Sequence, residues 1–352
     1  MEAEEPKGIA AEEGTVAQVA RFLERSVPSR RCMKAGAIFV CATFSAIGCS
    51  AETTTLSSGD SEVVAGTSVA QAEYDAEYPW MLAMAYQDEV TPDAYVVHCG
   101  AELIGPDVVL TAGHCVSTRD GGSMVRDPGG MMFARGTVHT TEMSPRVDDR
   151  TTFAGRSVHR HPSYSASPDL DFDVAIVRLR SALPGPYAPL AARWLDKSSI
   201  LRTIGWGDTR RRPYGAKYAP PEPPEQLQRA SLFFVDRATC GADYEGDGYD
   251  LTWRMVCASG ARMGSDGKAS GICNGDSGGP LLVETEAGLQ IAGLSSWMTG
   301  CGTRWYPSVF TRIGGALRTW IDACAADENA CGSLPPEGPE ETSLDEPFVG
   351  QH

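Results

Sequence analysis

The chain has 352 residues, with 46 Asp and Glu against 30 Lys and Arg, a formal net charge of −16. That balance argues against nucleic-acid binding, which depends on Lys and Arg neutralising phosphates, and it favours solubility. Eleven cysteines, eight of them from residue 99 onward and none in a CxxC pair, indicate an oxidised, exported protein rather than a zinc site.

Residues 1–32 read as an unusual leader or a misassigned start, since Met33 is a natural first residue for the segment beginning there. RRCMKAGAIFVCATFSAIGCSAE, residues 30–52, has a basic flank and then a short apolar run. The run is too short to span a membrane and suits a signal peptide over 33–49. AIGC, ending at Cys49, loosely matches a bacterial lipoprotein cleavage site, with Ala46 where a larger aliphatic is usual. The expected location is secreted or periplasmic, with membrane attachment only if Cys49 is lipidated. Residues 50–62 are polar and Ser/Thr-rich, as a short propeptide is.

From residue 63 to 324, short apolar runs recur between Gly/Pro turns: MLAMAY, VVLTA, DVAIVRL, SLFFV, LQIAGLSSW and SVFTRI. They predict strands. A helical pattern appears only in GALRTWIDAC, residues 315–324. An all-β fold with a closing helix is the expected class. Segments 117–130 and 208–226 are rich in Gly, Pro or charge and read as loops. Residues 325–352 carry seven acids and no Lys or Arg, which predicts a disordered acidic tail.

Within GICNGDSGGP, residues 271–280, Gly275 to Gly279 fit the G-x-S-x-G pattern of a serine on a tight turn. Alone it is weak, because Gly/Ser/Asp runs are mostly turns. A serine nucleophile needs a base. The histidines are His98, His114, His139, His159, His161 and His352, and only His352 comes after Ser277. His352 ends the acidic tail, so the order Ser, acid, His of an α/β-hydrolase is nearly excluded, and the base is expected upstream. His114 in VVLTAGHCV stands on a small-residue turn after a buried strand. His98, His139, His159 and His161 read as ordinary hydrogen-bonded residues. The last two, in HRHPSY, have metal-like spacing but read as a solvated loop, since no cluster of Cys or acid completes a site. Asp173 opens the buried strand of DFDVAIVRL and is the candidate acid; Asp169 and Asp171 read as solvated loop residues. No metal or cofactor is expected.

TAGHC, DVAIVRL and GDSGGP, in that order, resemble the three catalytic segments of the trypsin/chymotrypsin family of serine proteases. The resemblance runs from Val63 to about Cys324 and includes VVAG at 63–66, GWGDT at 205–209, SSW at 295–297 and TWI at 319–321. It implies two six-stranded antiparallel β-barrels, about 63–183 and 184–312, with a helix near 314–324 and the site between the barrels. The interval from His114 to Asp173 is longer than in compact members, which suggests an inserted loop beside the cleft.

By the same resemblance Ser277 is the nucleophile, His114 the base and Asp173 its partner, in a peptidase acting on protein or peptide substrates. The N–H groups of Gly275 and Ser277 form an oxyanion hole. Ser296 bonds the catalytic aspartate, and Trp297 lines the substrate groove. Asp276 pairs with the α-ammonium of Val63 once an activating protease cuts after Glu62, where a basic residue is usual; Ala65 stands where glycine is commoner. Gly271 lies at the base of the primary specificity pocket, where trypsin-like enzymes carry aspartate. Met298 and Ser308 replace two wall glycines. The expected preference is a small or medium uncharged residue, with poor selectivity, Arg/Lys specificity and a silent binding protein as alternatives. The implied bridges are Cys99–Cys115, Cys240–Cys257 and Cys273–Cys301, with Cys324–Cys331 as the remaining pair.

Overall fold

The computed structural model describes residues 66–334, apart from 88–94, 119–123, 140–151, 167–169, 193–194, 211, 213–223, 246–247, 261–268 and 304. The leader, signal segment, Cys49, the propeptide, Val63 and the chain from 335 onward lie outside the described residues.

The chain enters through β1 (Thr67–Ser68) and α1 (Gln71–Glu77). The strands β2 (Met81–Gln87), β3 (Tyr95–Gly105), β4 (Val108–Thr111), β5 (Met131–Ala134), β6 (Thr152–Arg160) and β7 (Ala175–Leu179) come next. They close in the order β2-β3-β4-β7-β6-β5, every pair antiparallel. A second set then forms: β8 (Ile200–Gly205), β9 (Gln228–Val235), α2 (Arg237–Asp243), β10 (Met255–Ser259), β11 (Pro280–Thr285), β12 (Gly288–Trp297) and β13 (Ser308–Arg312). Its strands run β9-β10-β13-β12-β11-β8, and a β8–β9 pairing closes the ring. The fold is thus two six-stranded barrels. β1 pairs with β9, so the first strand among the described residues belongs to the sheet of the second barrel.

One apolar cluster joins the two rings. It holds Leu82, Leu103, Leu110 and Val177 of the first barrel together with Ile204, Leu282 and Leu294 of the second. Removing each such side chain from water contributes about 1.5–3 kcal/mol. The closing helix α3 (Gly315–Ala326) buries Leu317, Trp320, Ile321 and Cys324, the i, i+3, i+4, i+7 stripe of a helix with one apolar face. Arg178 of β7 donates to the last carbonyls, Cys324 and Ala325, at 2.9 and 2.8 Å, which satisfies acceptors that a helix end leaves open.

Order persists past α3. A 3₁₀ turn spans Glu328–Gly332, the Cys324–Cys331 bridge closes it, and Glu328 pairs with Arg156 and His159 of β6. A disordered tail starting at 325 is therefore corrected through residue 334: two of its seven acids, Asp327 and Glu328, lie in this ordered segment, Asp327 capping the turn. Hydrogen bonds from Ser157, Arg156 and His159 outweigh the opposing effect of burial and hold the Glu328 carboxyl down at about 2. Among the described residues no helix is long and apolar enough to cross a membrane.

Glu102 is the anomaly of the core. It lies on β3 opposite Met81 and Leu110, fully buried, and neither carboxylate oxygen has a partner among the described residues. Burial alone drives its pKa well above the usual carboxylate range. Above the ordinary value of 4.5 the unfolded chain loses this proton while the folded chain keeps it. Stability therefore falls as pH rises, by about 1.4 kcal/mol per pH unit, until the folded carboxyl also ionises. Glu102→Gln removes that slope. The expected result is a Tm advantage of the variant that grows as the pH rises above 4.5; a constant difference would show that Glu102 does not titrate this way.

Candidate active site

β4 ends at Thr111, whose hydroxyl donates to the Gly100 carbonyl of β3 at 2.9 Å. Ala112 and Gly113 then lead into a 3₁₀ turn that starts at His114. The Cys99–Cys115 bridge ties this turn to β3. A Cβ on Gly113 would meet Val174 N at 3.1 Å and Asp173 Oδ1 at 3.3 Å, so a glycine here lets the acid's segment come close.

Asp173 is completely buried. Its Oδ1 accepts the His114 backbone N–H at 2.7 Å, and His114 Nδ1 stands 2.8 Å from Oδ2. The Ser296 hydroxyl donates to Oδ2 at 2.6 Å, and Thr311 donates to the Asp173 carbonyl at 3.0 Å. The carboxylate fixes the proton on Nδ1 and leaves Nε2 as an acceptor. Burial pushes the imidazole pKa down, but the charge and hydrogen bond of Asp173 more than offset it, and the net shift is upward. Cys99, His114 and Cys115 bring ligand-type atoms within 4.8 Å of one another, yet both sulfurs are spent in a disulfide and offer no thiolate.

Ser277 is half-buried on a turn stitched to both barrels. Gly100 N–H donates to the Ser277 carbonyl at 2.8 Å, Gly278 N–H to Ser295 at 2.8 Å, and Gly279 N–H to Asp276 at 2.9 Å. Gly278 abuts Thr111 and Ala112, just before His114. Within Gly275–Gly279 two donors are left over: among the described residues neither Gly275 N–H nor Ser277 N–H has an acceptor. Gly275 has φ +102° and Gly278 φ +73°. A Cβ on Gly275 would also meet Gly207 Cα at 3.0 Å. The glycine is thus needed for backbone conformation and for packing, a reason distinct from access to an oxyanion.

Residues 66–321 match the family model described as Trypsin. The chain belongs to the trypsin family. Over 252 residues it is 32% identical to Transmembrane protease serine 9 of Rattus norvegicus, covering 70% of this chain and 21% of that protein, so the chain spans about a fifth of that relative. It is 31% identical to Chymotrypsin-like elastase family member 3B of Homo sapiens over 260 residues, 71% of this chain and 85% of that one. With Trypsin-1 of Astacus astacus it shares 29% over 231 residues, 64% and 87% of the two chains. The protein is a serine endopeptidase of this family.

In this trypsin-family chain Asp276 is buried, and it accepts from Gly207 N–H at 2.8 Å and Cys273 N–H at 2.9 Å. A Cβ on Gly205 or Gly207 would overlap its carboxylate, which explains the glycines of GWGDT. Burial, opposed by these two N–H bonds and reinforced by the charge of Asp208, pushes Asp276 up to about 6. Asp208 is itself buried and paired with Arg210 and Arg212.

Beside the turn, a Cβ on Gly271 would meet Ser308 Oγ at 2.8 Å, and Ser308 Oγ accepts the Ile272 N–H at 3.0 Å. The serine hydroxyl thus lies against Gly271. Met298 packs, half-buried, on the Cys273–Cys301 bridge. Trp297 lies flat against Tyr249, ring centroids 5.0 Å apart, with Tyr244 edge-on at 4.9 Å. The Cys240–Cys257 bridge packs in the same cluster.

Two readings of individual side chains are corrected. His159 and His161 are not in a solvated loop. His159 lies on β6 and meets Glu328 at 3.0 Å. His161 is buried between Phe172 and Trp320, and burial and the charge of Arg254, against Asp171, bring its pKa down to about 4. Asp171 is not solvated either: it pairs with Arg254. Asp169 and His352 lie outside the described residues. His98 stands 5.6 Å from the Tyr86 ring, and His139 bridges to Gln226. Thr311 and Arg254 carried no signal in the sequence, since Asp173 and Asp171, which they bond, lie 138 and 83 positions away.

Proposed function

We propose that Ser277 cleaves peptide bonds through an acyl-enzyme, with His114 as general base and acid and Asp173 as its partner. One observation carries the reading: a buried carboxylate takes the His114 N–H, its Nδ1–H and the Ser296 hydroxyl, opposite a serine turn with two unpaired N–H donors. Ser277 Oγ attacks the carbonyl carbon, and His114 Nε2 takes its proton. The oxyanion meets Gly275 N–H and Ser277 N–H, each such donor contributing about 10²–10³ in kcat. Collapse expels the amine, which takes the proton from His114. Water then repeats the sequence on the acyl-enzyme and restores Ser277.

A cut between Glu62 and Val63 by an activating protease creates an α-ammonium that pairs with Asp276. The buried carboxylate, held by two N–H bonds and short of a counter-charge, supports this. In the pocket, Gly271 contributes no charge, Ser308 fills the base and Met298 narrows the mouth. These features support a small or medium uncharged residue, such as Ala, Val or Leu, before the cut bond. Four disulfides support export to an oxidising compartment.

A serine-directed phosphonate labels the wild-type protein and not Ser277→Ala; equal labelling of both sinks the nucleophile. In the same preparation, N-terminal sequencing is expected to find Val63, and a mixed peptide library cuts after Ala, Val or Leu. Cuts after Arg or Lys would overturn the pocket assignment, and absence of cutting by a protein starting at Val63 would indicate a binding protein.

A further inference from the structure

The segment leading into Asp173 holds two bulky residues in the left-handed region, Leu170 at φ +50° and Phe172 at φ +51°. Such backbone is sparsely populated without glycine and persists only where the surroundings impose it. Asp171 stands between them. Its carboxylate accepts Arg254 Nε at 2.8 Å, Arg254 Nη2, the Thr252 hydroxyl at 3.0 Å and the Phe172 N–H at 2.9 Å. The pair is largely out of water, Arg254 14% and Asp171 16% exposed. The guanidinium lies 4.0 Å over the Phe172 ring and 4.7 Å over Trp253.

Arg254 directly precedes β10 of the second barrel, whereas Asp171 enters β7 of the first. The next residue, Met255, pairs with Thr311, the residue that donates to the Asp173 carbonyl. Asp173 thus meets donors from both barrels: His114 from one, Ser296 and Thr311 from the other. Its carboxylate must satisfy three of them at 2.6–2.8 Å. A rotation at Phe172, one residue before it, would turn that carboxylate away.

We propose that Asp171 and Arg254 are positioning residues, a latch between the barrels that imposes the Leu170–Phe172 backbone and thereby aims the Asp173 carboxylate at His114. The proposal rests on the reading of Asp173 as the acid of the triad. A planar guanidinium fixes the carboxylate it grips in plane as well as in distance, which a point charge does not. Without the pair, Leu170 and Phe172 relax toward ordinary extended backbone and the bonds to His114 lengthen.

The test uses Arg254→Leu, the isosteric Asp171→Asn and the conservative Arg254→Lys, each made in the full chain and measured after activation. Two quantities are read: the His114 pKa by ¹⁵N NMR of labelled histidines, assigned with His114→Ala, and kcat per titrated active site. Both quantities are expected to fall in the first two variants, kcat by about 10- to 100-fold with KM within threefold, and Arg254→Lys recovers part of the loss. A purely Coulombic effect would shift His114 in opposite directions, because one substitution removes a positive charge and the other a negative one. A positioning effect shifts it downward in both. His161 serves as the internal control, rising in Arg254→Leu and falling in Asp171→Asn, since both charges act on it directly.

The latch is overturned if both folded variants keep the wild-type His114 pKa and kcat, or if His114 moves in opposite directions. The titration of His114 judges the latch even in a protein without turnover. A wild type that neither cleaves nor labels fails the peptidase reading instead.

Discussion

Asp173→Asn is expected to lower kcat by about 10⁴ while the fold survives, the loss that follows from putting the histidine of a Ser-His-Asp triad in the wrong tautomer. The side chain keeps its shape, and the oxygen in the Oδ1 position still accepts the His114 backbone N–H, while the Ser296 hydroxyl, which donated to Oδ2, must turn to accept from the amide NH₂. What changes is the proton. The amide NH₂ turned toward Nδ1 favours the tautomer with hydrogen on Nε2, and that nitrogen can no longer accept from Ser277. The carboxylate charge that holds the His114 pKa up also disappears, so the acid limb of the kcat/KM profile moves to lower pH. Steady-state kinetics on a peptide substrate between pH 5 and 9 measure both effects. A loss under tenfold would mean that another acid serves His114, and the nearest in sequence, Asp171, is already held by Arg254.

Gly278→Ala is expected to cripple both stability and turnover. At φ +73° an L side chain is strained. The added methyl would also overlap Thr111 Oγ1 and stand 2.6 Å from the Gly100 carbonyl oxygen. The carbonyl belongs to β3 backbone and cannot rotate aside, so the Ser277 turn must move away from the strand end that leads to His114. Left-handed strain and overpacking together amount to about 2–4 kcal/mol, or a fall in Tm of about 5–15 °C for a domain of this size. A displacement near 1 Å at Ser277 costs about 10² in rate. Gly241→Ala is the matched control: it lies inside α2 with nothing within 4 Å of the new methyl, so Ala should leave activity alone and raise stability by about 0.5–1 kcal/mol. If Gly278→Ala unfolds no earlier than Gly241→Ala and retains full turnover, the turn is not pressed against β3 and β4 as described.

Much of the architecture was legible in the chain. The short apolar runs between Gly/Pro turns correspond to β2, β4, β7, β9, β12 and β13, because alternation and turn chemistry are local properties that a few adjacent residues encode. α3 was readable for the same reason, from its apolar stripe. The order TAGHC, DVAIVRL, GDSGGP singled out three short segments, and the fold brings His114 onto Asp173 and sets the Ser277 turn against Thr111 and Ala112. Cysteine positions alone left the pairing open; the family resemblance supplied three pairs and left Cys324 and Cys331 over, and all four bridges are present.

The sequence by itself thus determined the fold class, the family and the three segments that meet at the site. Only the tertiary structure decided how that site is held. Asp171 looked like a solvated loop acid because its guanidinium partner lies 83 residues away on the other barrel. His161 looked exposed because the rings that enclose it come from the segment before β7 and from α3. Glu102 sits in a strand whose pattern says nothing of its loneliness; it is buried between Met81 of β2 and Leu110 of β4, far from it in the chain. Periodicity reports which face of an element is apolar, not what covers that face. The covering comes from the closure of two barrels against each other, and there the carboxylates of this chain acquire or lose their partners.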